Sequence, residues 1–414
     1  MRMSLVLCVA VLGLGAGLGA AAEPQFTPLA FNQGNTENRT GVWLCADLGA
    51  AEDILPLKTR LWATRESVTG GVALKCVFEP GSQGALNWEN GPLPAGSAGL
   101  TFCAKASRPL TITVNGAKAE VGTDWKKIDL AWEKLWTTKD KPEIGWLMKI
   151  NVADPIKERT WLILDRLGIE SPEFIATPKL SPQAGPDPTI SSKDILAGSE
   201  NLAKTLARAK AKKPFTIWAF GDSITMGAQA FRGTWKVSAD KAAPFLYHHH
   251  LARLWEDHFG YKGISVEFSG EAGEITQRTL DKLGPFLAKA TADDLVIIAN
   301  WSPAADKWKG YLKQMIATAR TKTDQIIVQT PTPGEPAVAA AKEISAALLA
   351  LVKDEKVAAA DITKMCTYRG EPYAYAGEGN EWHPTYELHI QMAEMVAPLL
   401  TGEERTWPEA APRK

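Results

Sequence analysis

Between residues 214 and 402 the chain alternates short, largely apolar runs with longer stretches whose apolar residues recur at helical spacing. The runs at 215–221, 264–268, 295–299, 325–329 and 357–362 predict strands. The stretches at 245–259, 277–290, 305–321, 337–351 and 386–400 predict helices. Strands apolar on both faces and separated by helices belong in a parallel sheet covered on both sides. The expected fold of 214–402 is therefore an α/β, flavodoxin-like three-layer α/β/α domain.

The segment 23–177 has another rhythm. Short runs at 41–46, 72–78, 100–104, 110–114, 128–132, 144–150 and 160–164 lie between turn residues, with no helical period among them. That spacing predicts an all-β sandwich or jelly roll. Asn115-Gly116 predicts a two-residue hairpin after the 110–114 run. Prolines at 178, 182, 186 and 188 interrupt any strand or helix and mark a boundary. Ser191 followed by Asp194 has the form of a capping box, with Ile195, Leu196, Leu202 and Leu206 at helical spacing behind it. Residues 178–213 thus read as a linker and lead-in helix, and 403–414 as a tail. Residues 1–22 pair Arg2 with an apolar run and end in small residues, the layout of a secretory signal. A secreted or periplasmic location is expected, without a stable membrane span.

Composition narrows the function. The 414 residues are 45% hydrophobic and 22% charged, and the net charge of −1 lacks the basic excess of a nucleic-acid binder. The Lys and Arg residues of 204–213 fall at a helix end, where they suit the dipole. Of five cysteines, Cys8 lies in the signal, Cys45, Cys76 and Cys103 in the β region, and Cys366 near the end. Export permits a disulfide between two of the three in the β region, and the spacing fits no zinc site. His248-His249-His250 project about 100° apart on a helix, so they do not converge on one ion, and a partly exposed helix face is expected. Neither a Gly-rich phosphate loop nor paired-cysteine spacing occurs, so neither cofactor nor metal is expected. Trp is abundant, 15 against 7 Tyr. Trp62, Trp88, Trp125, Trp136 and Trp146 are candidates either for the sandwich core or for stacking on sugar rings.

The candidate chemistry begins at Gly221-Asp222-Ser223, where an apolar strand ends abruptly at the carboxyl edge of the sheet. Ligand sites in open α/β sheets lie at that edge. A second polar break, Ser269-Gly-Glu-Ala-Gly273, follows the next strand, and Asn300 ends the third. The chain then presents Asn380-Glu-Trp-His383-Pro384 just ahead of its last helix.

These blocks, in this order, resemble the SGNH (GDSL-type) hydrolase family across 214–400. The resemblance implies Ser223 as nucleophile and His383 as its base. It implies an oxyanion hole made of the Ser223 and Gly273 amides and the Asn300 side chain. His389 falls on a packing position. Two departures from the family stand out. Asn300 has neither the preceding Gly nor the following Asp of the third block. Asn380 occupies the position of the family's Asp, so His383 is oriented by the neutral Asn380 amide, by Glu378 or Glu381, or by a backbone carbonyl, unless the site is inactive. The strand at 159–170 and Trp125 similarly resemble galactose-binding-like jelly rolls.

The expected function is a secreted serine esterase that removes acyl groups, acetyl foremost, from carbohydrate or another small ester. Trp301 and Trp382 flank two of the site residues and read as substrate-binding walls. The alternatives are a carbohydrate-binding protein on an inactive hydrolase fold and an exported lipase or lysophospholipase.

Overall fold

The computed structural model describes residues 27–30, 41–45, 59–64, 66, 68, 73–82, 84–90, 99–135, 146–169, 189–227, 246–270, 277–299, 308–332, 338–367 and 386–407. The signal-like segment 1–22 and the proline-rich connector 178–188 lie outside them.

Residues 27–169 supply β1 (Thr27–Ala30), β2 (Gly41–Cys45), β3 (Thr59–Thr64), β4 (Ala73–Phe78), β5 (Ala85–Asn90), β6 (Gly99–Ala106), β7 (Leu110–Val114), β8 (Ala117–Val121), β9 (Lys126–Ala131), β10 (Trp146–Val152) and β11 (Thr160–Ile169). They form two antiparallel sheets, β3-β4-β11-β6-β9 with β1 joined to β11, and β2-β5-β10-β7-β8. Alternation fills the space between them. Cys76, Phe102, Ala104, Leu162 and Leu164 are buried on one sheet, and Ile112, Val114 and Ile150 on the other. The predicted hairpin is present: Asn115 (φ 46) and Gly116 (φ 95) both take the left-handed conformation that a two-residue hairpin turn demands. Cys76 and Cys103 are buried and reduced, so the expected disulfide does not form at either. Burial pushes the Cys103 thiol up to about 12, which keeps it protonated and inert.

Residues 189–407 form a second architecture. It comprises β12 (Ile190–Ser191), β13 (Leu196–Ala197), α1 (Ala203–Lys210), β14 (Phe215–Gly221), α2 (Tyr247–Phe259), β15 (Ile264–Gly270), α3 (Gln277–Phe286), β16 (Leu295–Ala299), α4 (Trp308–Arg320), β17 (Ile326–Gln329), α5 (Val338–Asp354), β18 (Ala358–Ala360), α6 (Ile362–Thr367), α7 (Tyr386–Val396) and β19 (Thr406–Trp407). Strand order is β13-β18-β17-β16-β14-β15, parallel throughout except for the antiparallel edge strand β13. Successive β14 residues face opposite layers. Ile217 and Ala219 pack with Leu251 and Trp255 of α2 and Met392 of α7. Trp218 and Phe220 pack with Leu283 of α3, Leu312 of α4 and Leu348 of α5. This is the expected three-layer α/β/α arrangement.

Local expectations fail where tertiary pairing overrides them. The Ser191 capping box exists, since Ser191 Oγ accepts from Lys193 N and the Asp194 carboxylate accepts from Ser191 N. It closes only a 3-10 turn over Ser192–Asp194, because Leu196 and Ala197 then pair with β18, and Gly198 (φ 73) turns the chain away. Residues assigned to a linker and a tail also pair with each other, β12 with β19. The histidine run is not an exposed face. His248 is fully buried and His250 is 5% exposed, leaving only His249 half-buried.

The two architectures share a buried contact. Arg60 on β3, Val77 on β4 and Trp161 on β11 are cross-strand partners in one row, on the sheet face opposite the sandwich core. Val77 belongs to the same buried cluster as Ile190, Leu388 and Met392, and Trp161 packs against that cluster. Arg60 reaches across to Glu394 of α7 with both guanidinium nitrogens, at 3.3 and 3.1 Å. Among the described residues no helix is long and apolar enough to cross a membrane.

Candidate active site

Three parallel strands end level with one another. The register pairs Gly221 with Gly270 of β15 on one side and with Ala299 of β16 on the other. The chain therefore leaves the sheet at one edge after Gly221, Gly270 and Ala299. The approach there is close: a Cβ on Gly270 would sit 2.4 Å from the Asp222 carbonyl oxygen and 2.8 Å from that of Gly221. Glycine at 270 is what lets β15 run up against the serine turn.

Beyond Gly221 the described chain makes a hydrogen-bonded turn over residues 222–227. Met226 N donates to the Asp222 carbonyl at 3.2 Å, and Gly227 N to the Ile224 carbonyl at 2.9 Å. The Asp222 carboxylate turns inward and accepts from Ile224 N at 2.8 Å, leaving Ser223 half-buried beside it. Burial pushes the Asp222 carboxyl well above the usual carboxylate range, although backbone donors pull the other way. Asp222 shapes the turn on which Ser223 sits.

Behind the turn stands the start of α2. His248 Nε2 lies 3.1 Å from the Thr225 carbonyl oxygen, two residues past Ser223. The His248 ring stacks on Phe268 of β15, with centroids 4.7 Å apart, and meets Tyr247 edge-on at 4.9 Å. Tyr247 in turn stacks on His389 in the first turns of α7, at 6.1 Å and 7°. His389 is fully buried. A continuous set of contacts thus joins the turn carrying Ser223 to the helix that begins three residues after His383.

Of the candidate site residues, Ser223 is the one the structure describes. Gly273, Asn300, Trp301, Asn380, Trp382 and His383 lie outside the described residues, as do Glu378 and Glu381. The sequence reading missed His248, Tyr247 and Asp222 as parts of the site's support. The available signal was the amphipathic period of 245–259, which puts position 248 on the same buried stripe as Leu251 and Trp255. Among the described residues no cluster of His, Cys, Asp and Glu has the geometry to hold a metal ion. Of the tryptophans considered for sugar stacking, Trp125 is half-buried, and the side chains of Trp62, Trp88, Trp136 and Trp146 are outside the described set.

The histidines give the domain a predictable acid sensitivity. Burial lowers His248 well below its ordinary value, and burial aided by Arg253 brings His249 down to about 4 from 6.5. A folded-state pKa below the unfolded one gives stability that is complete above the unfolded value and lost as pH falls towards the folded value. Asp222, raised on folding, has the opposite sign: its contribution is complete below its unfolded value of 3.8 and disappears as pH rises through the folded one. For His249 the window runs from 6.5 down to about 4. Thermal unfolding across that window should show Tm dropping more steeply in the wild type than in His249→Gln. Parallel curves would contradict the assignment.

Residues 219–389 match the model of the GDSL-like Lipase/Acylhydrolase family. A search of curated proteins finds no match. Similar solved structures include an active-site mutant of a family two carbohydrate esterase from Clostridium thermocellum (14% identity, 83% of this chain and 98% of that one, TM-score 0.33). Others are a member of the lipolytic protein G-D-S-L family from Veillonella parvula (19%, 44% and 97%, TM-score 0.34) and a two-domain esterase active on acetylated mannans (19%, 52% and 57%, TM-score 0.36).

Proposed function

Because residues 219–389 are a GDSL-like lipase/acylhydrolase domain, an ester-hydrolysing unit, we propose that this chain is an exported serine esterase removing acetyl groups from carbohydrate, with Ser223 as nucleophile and His383 as base. The observation that carries the reading is the contact series from the Ser223 turn through His248 and Tyr247 to His389. It brings the start of α7, the helix that follows His383 in the sequence, towards the turn that carries Ser223.

In this proposal Ser223 Oγ bonds to the acyl carbon as its proton passes to His383. The carbonyl electron pair moves onto oxygen, which faces the amides of Ser223 and Gly273 and the side-chain amide of Asn300. Each such donor is worth on the order of 3 kcal/mol in the transition state. Collapse breaks the ester C–O bond, and the departing sugar hydroxyl takes the proton from His383. Water then repeats the sequence on the acyl-enzyme and frees acetate and Ser223. Asn380 accepts the other imidazole N–H and fixes the tautomer, but as a neutral group it gives no charge stabilisation to the imidazolium. Trp301 and Trp382 wall the sugar. Residues 1–22 direct export, 23–177 form the β module and 214–402 the catalytic domain.

The test is turnover of acetylated sugars and of a p-nitrophenyl ester chain-length series, with labelling by a fluorophosphonate. Wild type should hydrolyse the acetyl members fastest and take the label. Ser223→Ala should lose label and lose turnover by about 1,000-fold or more. Label persisting in Ser223→Ala would remove Ser223 as nucleophile. A rate that climbs with chain length would turn the reading to a lipase, and sugar binding without turnover in the wild type to an inactive binding protein.

A further inference from the structure

We propose that His248 is a positioning residue for the nucleophile: it donates Nε2–H to the Thr225 carbonyl and thereby fixes the backbone turn from which Ser223 projects. This inference rests on the reading of Ser223 as nucleophile and says what holds it.

The geometry leaves little choice of tautomer. A carbonyl oxygen only accepts, so at 3.1 Å the proton must be on Nε2. The ring has no freedom to turn away. Phe268 covers one of its faces, Tyr247 meets it edge-on, and His249 lies against it at 4.9 Å. Full burial keeps it neutral, so the same donor is presented across the pH range in which a serine esterase works. A second contact fastens the same turn to the same helix start. Gly227 (φ 74) closes the turn against Leu246, where an added Cβ would lie 2.5 Å from Leu246 Cδ2.

The turn needs this support. Its internal bonds, Met226 N to the Asp222 carbonyl and Gly227 N to the Ile224 carbonyl, leave the Thr225 carbonyl to an outside donor. Left unpaired in this buried place, that oxygen would be costly, and the turn would relax to reach another donor. Relaxation by a fraction of an ångström at residue 225 rotates the peptide planes on either side of Ser223. Those planes set both the direction of Oγ and the aim of the Ser223 amide at the oxyanion. The nucleophile's position is thus tied to α2, and through Tyr247 stacked on His389 to α7 as well.

Three variants of the full chain test it. Glutamine carries an amide N–H near the place of Nε2, asparagine carries one that stops short, and leucine carries none. His248→Leu and His248→Asn should lower kcat for p-nitrophenyl acetate by about 10- to 100-fold with little change in KM. They should slow fluorophosphonate labelling of Ser223 in parallel, whereas His248→Gln should keep most of both. A merely structural role predicts instead that activity follows Tm in every variant, whatever the reach of the side chain. Should leucine prevent folding, the Gln and Asn pair decides, being alike in polarity and different in reach. Equal activities for Gln and Asn, or wild-type labelling in His248→Leu, would overturn the proposal while leaving the esterase reading intact. A wild type that neither turns over ester nor labels would bring down the esterase reading, and this inference with it.

Discussion

Gly221→Ala should unfold the edge of the sheet from which Ser223 follows. A Cβ at this position would lie 2.1 Å from the Ala299 carbonyl oxygen and 2.1 Å from Thr225 Oγ1. Neither neighbour can give way cheaply. Ala299 is the last residue of a fully buried parallel strand bonded on both sides, and Thr225 is fully buried inside the turn. To admit one methyl group, β16 must move away from β14 or the serine turn must open. Overpacking against backbone at a buried site costs on the order of 3 kcal/mol or more. The variant should show a large drop in Tm and, where it still folds, no labelling at Ser223. Gly310→Ala is the internal control. It lies in α4 with nothing within 4 Å of the added Cβ, so alanine should be neutral or stabilise by about 0.5–1 kcal/mol. Equal responses at 221 and 310 would mean that β14 and β16 do not approach as described.

The contrast between these glycines shows what a sequence exposes. The parallel sheet was legible because its central strands are buried on both faces, so 295–299 and 326–328 read as unbroken apolar runs. The helices between them were legible because one side of each is wet. Gly221 and Gly270 stood out as ends of strands, but their reason for being glycine is contact with residues from other segments. The short strands β12, β13 and β19, two residues each, are too brief for any period to register. Strand β3 was missed because it opens with Thr59 and Arg60, polar residues that look solvent-facing and are in fact buried. The histidine run was misread for the same reason, since ionisable side chains were assigned to water. For the glycines, β3 and the histidine run alike, the missing information is the identity of a distant partner.

Arg60 and Glu394 are the extreme example, 334 positions apart. Their side chains are only 8% and 11% exposed, and each terminal guanidinium nitrogen donates to one carboxylate oxygen. Such a pair repays its desolvation only while both members are present. Arg60→Met should therefore take the facing charge from a buried carboxylate on α7 and cost about 3–5 kcal/mol, as should Glu394→Leu on the opposite side. The double variant Arg60→Met/Glu394→Leu replaces both charges by apolar volume and should recover most of that loss. The coupling in a double-mutant cycle is the diagnostic quantity. Its position gives it a functional consequence, because it joins the β sandwich to the helix that follows the His383 segment. Val77, at 2% exposure, and Trp161 complete the row, so this strip of the sandwich is covered by the α/β domain and offers no platform to a sugar. Chemical denaturation of the full chain should then show the two regions unfolding together in the wild type and separating into two transitions in Arg60→Met. Additive single and double variants, each within about 1 kcal/mol of wild type, would mean that the pair is solvated and that the β module is merely tethered.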